Sequence, residues 1–279
     1  MALAKSKDVA GPRNSASPRR IAMITGASSG IGEALAKCFA ADGFDLVLVA
    51  RSADKLKKIA AELSKNHDVK AWVAAADLSE PEAPQRLAAA MRRARRSIDV
   101  LVNNAGVLEH GPFAQMSPQR HRDMIDLNVS GLTQMVAHFA PDMIKRGHGR
   151  ILNVASIASF QPIPSLATYA ATKAYVLSLT ESLSEEFKGT GVTMTALCPG
   201  VTATNMFSEA KKASSQLDRL PKFLIGDVQA VAKEGFDACM RGEVIRVPGA
   251  INQASIIAGR ATPKWLLRKV GGAMVRALG

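Results

Sequence analysis

The chain has 279 residues, 47% of them hydrophobic and 22% charged, which is typical of a globular protein large enough to bury a substantial core. No apolar run approaches the ~18–20 residues that a membrane-spanning helix needs. The three cysteines, Cys38, Cys198 and Cys239, are too few and too scattered to indicate a disulfide framework or a zinc site. We therefore expect no metal and a reducing, cytoplasmic location.

The formal net charge of +12 lies mostly at the two ends of the chain. Residues 1–20 contain five basic residues and one acid, residues 250–279 contain five basic residues and no acid, and the part between carries only +3. Aromatic residues make up 5%, and no zinc finger or RNA-binding signature is present. The charge therefore does not predict a nucleic-acid partner.

The sequence divides into three parts. Residues 1–19 mix small, polar and basic residues without an apolar period, which predicts a disordered basic arm; a transit peptide is the alternative reading. Residues 20–248 form a single domain, and residues 249–279 form a basic, partly amphipathic extension. Its apolar stripe (Leu267, Val270, Met274 and Leu278) predicts a helix that packs on the cleft or a second subunit, or one that touches an anionic membrane through 260–279.

From residue 20 onward, apolar runs alternate with helical patterns. The predicted strands are 21–25, 44–50, 69–75, 98–103, 150–155, 192–197 and 244–247. The predicted helices are 31–42, 53–65, 82–95, 118–146, 166–188 and 227–241. This alternation predicts an α/β fold, a doubly wound parallel sheet of about seven strands with helices on both faces.

A glycine-rich turn follows the first predicted strand and reads Thr25-Gly26-Ala27-Ser28-Ser29-Gly30-Ile31-Gly32. The glycines allow a tight turn, and the backbone N–H groups of the following helix N-terminus face an anion. Alone the pattern is weak, because glycine turns also close ordinary strand–helix units.

Arg51 directly follows the second predicted strand. In dinucleotide-binding folds this position meets the adenosine ribose, where an acid favours the free 2′-hydroxyl and an arginine favours a 2′-phosphate. The residue therefore favours NADP(H), with NAD(H) as the alternative.

Other polar residues follow later strands. Asp77 follows the third strand, the segment from Asn103 to Gly106 closes the fourth, and Ser156 follows the fifth. Carboxyl ends of parallel strands share the edge at which open sheets bind ligands. Asp and Asn are also natural turn residues, so each position alone is ambiguous.

Tyr169 and Lys173 are four residues apart in a predicted helix, which puts the phenol and the ammonium on one face. A neighbouring cation favours the phenolate, so the pair suits proton transfer. Ser156 would hold a carbonyl oxygen that Tyr169 protonates, and Asn128, in the preceding long helix, would carry a water to Lys173.

Together these motifs resemble the short-chain dehydrogenase/reductase superfamily, and the resemblance covers about residues 20–248. It implies a Rossmann sheet in the order 3-2-1-4-5-6-7, hydride transfer between NAD(P) and a carbonyl or alcohol, and a homodimer or homotetramer built on the helices near 118–146 and 166–188. By position it implies that Tyr169 is the general acid or base, that Lys173 lowers the proton affinity of the phenol and binds the nicotinamide ribose, and that Ser156 and Asn128 complete the catalytic set.

The resemblance also implies the cofactor contacts. The phosphates and the nearby ribose would contact Gly26, Ser28, Ser29, Gly30 and Ile31, and the 2′-position would contact Arg51. The adenine and its ribose would contact Asp77, Leu78, Asn104, Ala105 and Gly106. The nicotinamide carboxamide would contact Pro199, Gly200, Thr202 and Thr204. Relatives that prefer NADP often carry a basic residue at the position of Ser29, so the preference rests mainly on Arg51. Where the family usually has Ile or Val, this chain has Thr202, with little effect expected.

The expected substrate walls are apolar, which indicates a lipophilic ketone or aldehyde. They comprise Ile157, Ala158 and Phe160, the segment 107–113, and the segment 203–225 with Met206, Phe207, Leu217, Leu220, Phe223 and Leu224. The alternative function is a redox sensor that binds the nicotinamide nucleotide without turnover.

Overall fold

The computed structural model of the protein describes residues 19–204, 225–262 and 269. Seven strands form one parallel sheet in the order β3-β2-β1-β4-β5-β6-β7, which confirms the predicted fold class and strand order. The strands are β1 (Ile21–Thr25), β2 (Asp45–Ala50), β3 (Ala71–Ala75), β4 (Val100–Asn103), β5 (Gly149–Val154), β6 (Val192–Leu197) and β7 (Ile245–Arg246).

Helices cover both faces of this sheet. They are α1 (Gly30–Ala41), α2 (Ala53–His67), α3 (Ala83–Arg93), α4 (Pro118–Ile125), α5 (Leu132–Arg146), α6 (Ala167–Glu186), α7 (Val228–Arg241) and α8 (Ala250–Ala261). The core on one face packs α1, α2 and α7 against the strands, and the core on the other face packs α3, α5 and α6. Because strands covered on both faces are apolar throughout, the central strands read as unbroken hydrophobic runs.

Four of the predicted strands start too early, three of them at a buried residue. Phe44, Val69 and Ile98 are buried, but they precede the strands β2, β3 and β4. An apolar run marks burial, whereas a strand also requires ladder pairing, and these side chains anchor the loop that enters each strand.

The predicted helix 118–146 is divided by a π-helical segment at Asp126–Gly131, between α4 and α5. Such one-turn widenings are rare and occur frequently at functional sites. The segment contains Asn128, whose side chain is 1% exposed. Hydrophobic periodicity does not reveal this change of hydrogen-bond register, because the predicted helix continues on both sides of the segment.

Several predictions concern segments that lie outside the described residues. They include the disordered arm up to residue 18, the apolar stripe of the C-terminal extension and most of the segment 203–225. Arg19, the last residue of the predicted arm, pairs with Asp68 at the end of α2. In the part of the chain that the structure describes, no helix is long and apolar enough to cross a membrane.

Candidate active site

The glycine turn lies between β1 and α1 at the carboxyl edge of the sheet. Gly26 and Gly30 have φ angles of +65° and +59°, which residues with a Cβ rarely adopt. A Cβ at Gly26 would lie 2.6 Å from Asn104 Nδ2, so the turn also requires glycine for close packing. Ser29 caps α1 with extended backbone and no side-chain cap bond. The turn thus presents the helix N-terminus to solvent beside Ser28 and Ile31.

Asn104 joins this turn to the end of β4. Its amide donates to the carbonyl oxygens of Thr25 (3.0 Å) and Gly26 (3.2 Å). The Thr25 hydroxyl in turn accepts hydrogen bonds from the backbone N–H groups of Asn104 (2.9 Å) and Ala105 (3.0 Å). The Asn104 side chain therefore shapes the turn, and the Thr25 hydroxyl joins the turn to the end of β4, a role that the glycine motif does not indicate.

Arg51 and Asp77 lie on neighbouring strand ends. The Arg51 side chain is 75% exposed, and its Nη1 lies 3.9 Å from Asp77 Oδ2. Asp77 also accepts hydrogen bonds from the Ser79 backbone N–H (3.0 Å) and hydroxyl (2.7 Å). Partial burial raises the pKa of Asp77, but the bonds from Ser79 and the charge of Arg51 outweigh it, so the pKa is below its usual value. Asp77 is therefore ionised at neutral pH, and its hydrogen bonds from Ser79 stabilise the turn after β3.

Leu78 and Gly106 lie deeper at the same edge. The Leu78 side chain is buried in the core beneath α5, so only its backbone remains to border an adenine. A Cβ at Gly106 would lie 3.0 Å from Asn128 Oδ1 and 3.5 Å from Lys173 Nζ. Gly106 therefore keeps space open beside the lysine.

Tyr169 and Ser156 face each other across the site. Ser156 follows β5 and begins a 3-10 turn at Ile157–Phe160, where its hydroxyl accepts from the Ala158 N–H at 3.1 Å. The Tyr169 phenol, 9% exposed in α6, is hydrogen-bonded to Ser156. Burial raises the pKa of the phenol, and the hydrogen bond with Ser156 lowers it by less. The phenol is therefore protonated at neutral pH in the cofactor-free protein.

Lys173 is buried beside Tyr169 on the next turn of α6. Its Nζ donates to the Val154 carbonyl oxygen at 2.8 Å and lies 5.9 Å from the centroid of the Tyr169 ring. Burial lowers the pKa of Lys173 to about 8. The sequence predicts that this cation lowers the pKa of the phenol, yet burial dominates at Tyr169 because the ammonium is turned towards Val154.

Asn128 is fixed by three hydrogen bonds in the π-helical segment. Its Oδ1 accepts from the Val107 N–H (2.9 Å), and its Nδ2 donates to the Val107 carbonyl (2.9 Å) and to Thr172 Oγ1 (3.2 Å). Its side chain is therefore committed to hydrogen bonds within the protein. Thr172 was not among the predicted site residues, because a threonine inside a helix gives no sequence signal.

The segment after β6 closes the site on its other side. The Ile157 N–H donates to the Pro199 carbonyl at 2.9 Å, and the Thr202 hydroxyl donates to the Gly200 carbonyl at 3.0 Å. A Cβ at Gly30 would lie 3.2 Å from Thr204 Cγ2, so this segment reaches the glycine turn. A Cβ at Gly200 would lie 2.6 Å from Nδ2 of Asn252, a residue of α8 that the sequence analysis missed.

The structure thus brings the predicted catalytic residues and the glycine turn to one edge of the sheet. Beside Tyr169 lies a small apolar cluster with Met124, Ala158 and Ala170, against which Val107, Leu108, Met116, Ile163 and Leu166 pack. Of the expected substrate walls, 157–160 and 107–113 lie next to this cluster, while 205–224 is outside the described residues.

Comparison with known proteins identifies relatives of this arrangement. The family described as short chain dehydrogenase matches residues 20–215. Oxidoreductase UcpA of Escherichia coli is 37% identical over 204 residues, which cover 71% of this chain and 75% of UcpA. A structure titled as a short-chain dehydrogenase from Sphingobium yanoikuyae in complex with NADPH is 32% identical with a TM-score of 0.77, covering 87% of this chain and 93% of that one.

A second structure, the bulky-bulky ketone specific alcohol dehydrogenase from Comamonas testosteroni, is 30% identical with a TM-score of 0.73 and covers 87% of this chain and 92% of that one. The family matches residues 20–215, which is well over half of the chain. The match to UcpA covers 75% of the length of UcpA. The protein is therefore an oxidoreductase that belongs to the short-chain dehydrogenase family.

Proposed function

We propose that the chain is an NADP(H)-dependent oxidoreductase that interconverts a lipophilic ketone or aldehyde and the corresponding alcohol, with Tyr169 as the general acid and base. The observation that carries this proposal is the buried group formed by Tyr169, its hydrogen-bonded partner Ser156, and Lys173 one helical turn away. Burying a phenol and an ammonium costs free energy. Such buried titratable groups are often found where the chemistry of a site requires them.

The residues present fit a nicotinamide dinucleotide. The exposed N-terminus of α1 and the compact turn at Gly26 suit a pyrophosphate, because a side chain there would fill the space. Arg51 is the basic group at the end of β2, and its guanidinium suits a 2′-phosphate. Gly106 leaves room beside Lys173 for the nicotinamide ribose. The bound cofactor would supply or accept a hydride.

The protein residues would move the proton. In reduction, Ser156 donates a hydrogen bond to the substrate carbonyl oxygen, and Tyr169 gives its phenolic proton to the same oxygen. The raised pKa of the phenol keeps it protonated for this role. Lys173, whose ammonium faces the Val154 carbonyl, stabilises the phenolate that forms and, with a water held at the Asn128 carbonyl, returns a proton to it.

A lipophilic substrate is supported by the apolar side of the site. Met124, Ala158 and Ala170 form an apolar surface beside Tyr169, which suits the hydrocarbon part of a substrate. The similar alcohol dehydrogenase from Comamonas testosteroni is specific for bulky ketones. In a turnover panel, we expect hydrophobic ketones and aldehydes to be reduced faster than polyol-derived ketones; preference for a sugar would overturn this part of the proposal.

The test of the reaction uses the two tyrosines of the chain. We expect Tyr169→Phe to lose NADPH-dependent carbonyl reduction by about a thousandfold or more, since a general acid of this kind contributes ~10²–10⁴-fold, while NADPH still binds. Tyr175→Phe is the matched control, because it removes a phenol hydroxyl that bonds Thr133 at 3.0 Å and keeps the partly exposed ring. Equal activity of wild type and Tyr169→Phe would contradict the proposal.

The runner-up function is a non-catalytic sensor of the nicotinamide redox state. A sensor requires the cofactor contacts but has no use for the buried Lys173, whose charge costs free energy. Failure of NADPH oxidation with every carbonyl in a broad panel, together with tight NADPH binding, would favour the sensor.

We further propose a homodimer or homotetramer that packs through α5 and α6. Ile144 and Tyr175 are partly exposed hydrophobic residues on these two helices. Light scattering of the full chain measures the assembly directly, and a monomer at micromolar concentration would contradict this proposal.

A further inference from the structure

A second cleft, formed by described residues, lies away from the candidate active site. It has a volume of about 280 Å³ and lies between the end of α3 and the second half of α5. Ile98, just before β4, and Arg146, just before β5, place it at the amino edge of the sheet. The catalytic residues follow these strands at the carboxyl edge, so the two sites are on opposite ends of the sheet.

Four arginines line this cleft, namely Arg92, Arg95, Arg96 and Arg146, together with His138. Asp142 is the only carboxylate among the lining residues. Within the described part of the chain, no carboxylate forms an ion pair with any of the four arginines. The +12 net charge of the chain therefore includes a local concentration of cations, in the middle of a domain whose overall excess is small.

Two of the arginines are held in place. The Arg96 guanidinium stacks on Trp72, with 4.1 Å between its Cζ and the ring centroid. Arg146 Nη2 donates to the Ile98 carbonyl at 2.6 Å, while its Nε is buried and has no hydrogen-bond partner among the described residues. A buried donor without a partner costs free energy, so Arg146 is held beside the cleft at a cost in stability.

Arg95 stands where a helix C-terminus ordinarily has glycine. Its φ angle is +51°, and the Arg96 N–H donates to the Met91 carbonyl at 3.0 Å, which completes the end of α3. A side chain at this left-handed position is unfavourable relative to glycine. The turn therefore presents a guanidinium at the cleft at a cost in stability.

The floor of the cleft is apolar and is formed by Ala88, Met91, Ile98 and Phe139. Arginine binds phosphate and carboxylate groups through paired N–H donors, and ligand pockets start at roughly 300 Å³. We propose that this cleft binds a small organic oxyanion, a phosphate ester or carboxylate with a short apolar portion. The anionic group would contact the arginines, and the apolar portion would cover Met91 and Phe139.

The test is isothermal titration calorimetry of the full chain with n-butyl phosphate, with inorganic phosphate as the probe that lacks the tail. We expect n-butyl phosphate to bind more tightly than inorganic phosphate. We expect the cleft variant Arg92→Gln/Arg95→Gly to weaken binding by roughly tenfold or more, since hydrogen bonds to charged groups are worth that much. Glycine suits the backbone of residue 95, so this variant should unfold at a temperature no lower than wild type.

The charge-matched control is Arg93→Gln/Arg122→Gln, which removes two exposed arginines that do not line the cleft. We expect its affinity for n-butyl phosphate to equal that of wild type. Equal weakening in both double variants would overturn the proposal, since it would indicate general electrostatic attraction. Binding that survives in the cleft variant but disappears in Arg51→Ala would also overturn it, since it would assign the ligand to the cofactor site. Absence of binding to wild type would do the same.

Discussion

Lys173 is buried beside Tyr169, and burial lowers its pKa to about 8, which makes its charge sensitive to pH. In the unfolded chain a lysine titrates near 10.5, so the unfolded state holds more protons between pH 8 and pH 10.5. Stability must then rise with pH over this window, because the cost of burying the cation disappears as it loses its proton. Below pH 8 that cost is present in full.

The predicted rise of stability with pH can be measured. We expect the free energy of unfolding of wild type, taken relative to Lys173→Met, to increase by roughly 2 kcal/mol between pH 7 and pH 9.5. Urea titrations of both proteins at several pH values measure it. A difference that is flat or falls over this range would show that Lys173 is not a desolvated cation in the folded protein.

Arg51 determines the cofactor preference if it meets the 2′-phosphate. We expect Arg51→Asp to weaken NADP(H) binding by about a hundredfold and to leave or improve NAD(H) binding, because a carboxylate repels the phosphate and accepts from a free ribose hydroxyl. Dissociation constants of both cofactors for both proteins test this. If the ratio of the two constants is unchanged in the variant, Arg51 does not select the cofactor.

At the scale of the elements, the turn between β1 and α1 is held by close packing against the end of β4. Adding a methyl group at Gly26 would place it 2.6 Å from Asn104 Nδ2, in a backbone region with φ of +65°. We expect Gly26→Ala to destabilise the fold by roughly 2–4 kcal/mol and to abolish NADPH binding.

Gly147 supplies the matched control for this substitution. It has a similar φ of +72° at the end of α5, and a Cβ there would meet nothing within 4 Å. Gly147→Ala should cost only the backbone strain, ~1–2 kcal/mol, and should leave NADPH binding intact. Equal losses in the two variants would mean that strain alone, and not packing against Asn104, explains the requirement for glycine.

A second feature at the scale of the elements is a buried hydrogen-bond network that joins β4, β5 and α6. Asn103 Nδ2 donates to Asn153 Oδ1 at 2.9 Å, and Asn153 Nδ2 donates to Thr180 Oγ1 at 2.9 Å. We expect Asn153→Ala to lower the free energy of unfolding by roughly 2–3 kcal/mol, because it leaves the Asn103 amide buried without its acceptor.

Thr195 provides the contrast for Asn153. Its hydroxyl is buried without a hydrogen-bond partner among the described residues. We expect Thr195→Val, which removes that hydroxyl and keeps the shape, to be neutral or stabilising. Guanidinium unfolding of the two variants separates the cases; similar losses in both would show that volume and not hydrogen bonding governs these positions.

At the scale of the whole molecule, the sequence pattern predicts a parallel sheet and the edge at which the site lies, and the family resemblance predicts the strand order. The alternation of apolar runs and helical patterns determines a parallel sheet, and the motifs after β1, β4, β5 and β6 must then meet at the carboxyl edge. The place of Tyr169 beside Ser156 could be expected because both the strand end and the helix face were identifiable from residue spacing.

Other features depend on long-range packing that no local pattern reveals. The π-helical segment at Asn128, the Thr172 hydroxyl on its amide and the contact of Asn252 with Gly200 join residues far apart in sequence. The raised pKa of the Tyr169 phenol also depends on long-range packing. A spacing of four residues shows that two side chains share a helix face, but it does not show how deeply they are buried. The arginine cleft between α3 and α5 also arises only when two helix ends meet.

The most direct test of the central claim is the transfer of deuterium to a hydrophobic ketone from NADPH that carries deuterium at both C4 positions of the nicotinamide. If Tyr169, Ser156 and Lys173 form the proposed site, the alcohol made by wild type gains one mass unit, and Tyr169→Phe makes almost none while NADPH still binds. An alcohol without the label, or labelled alcohol formed equally fast by Tyr169→Phe, would contradict the proposed mechanism.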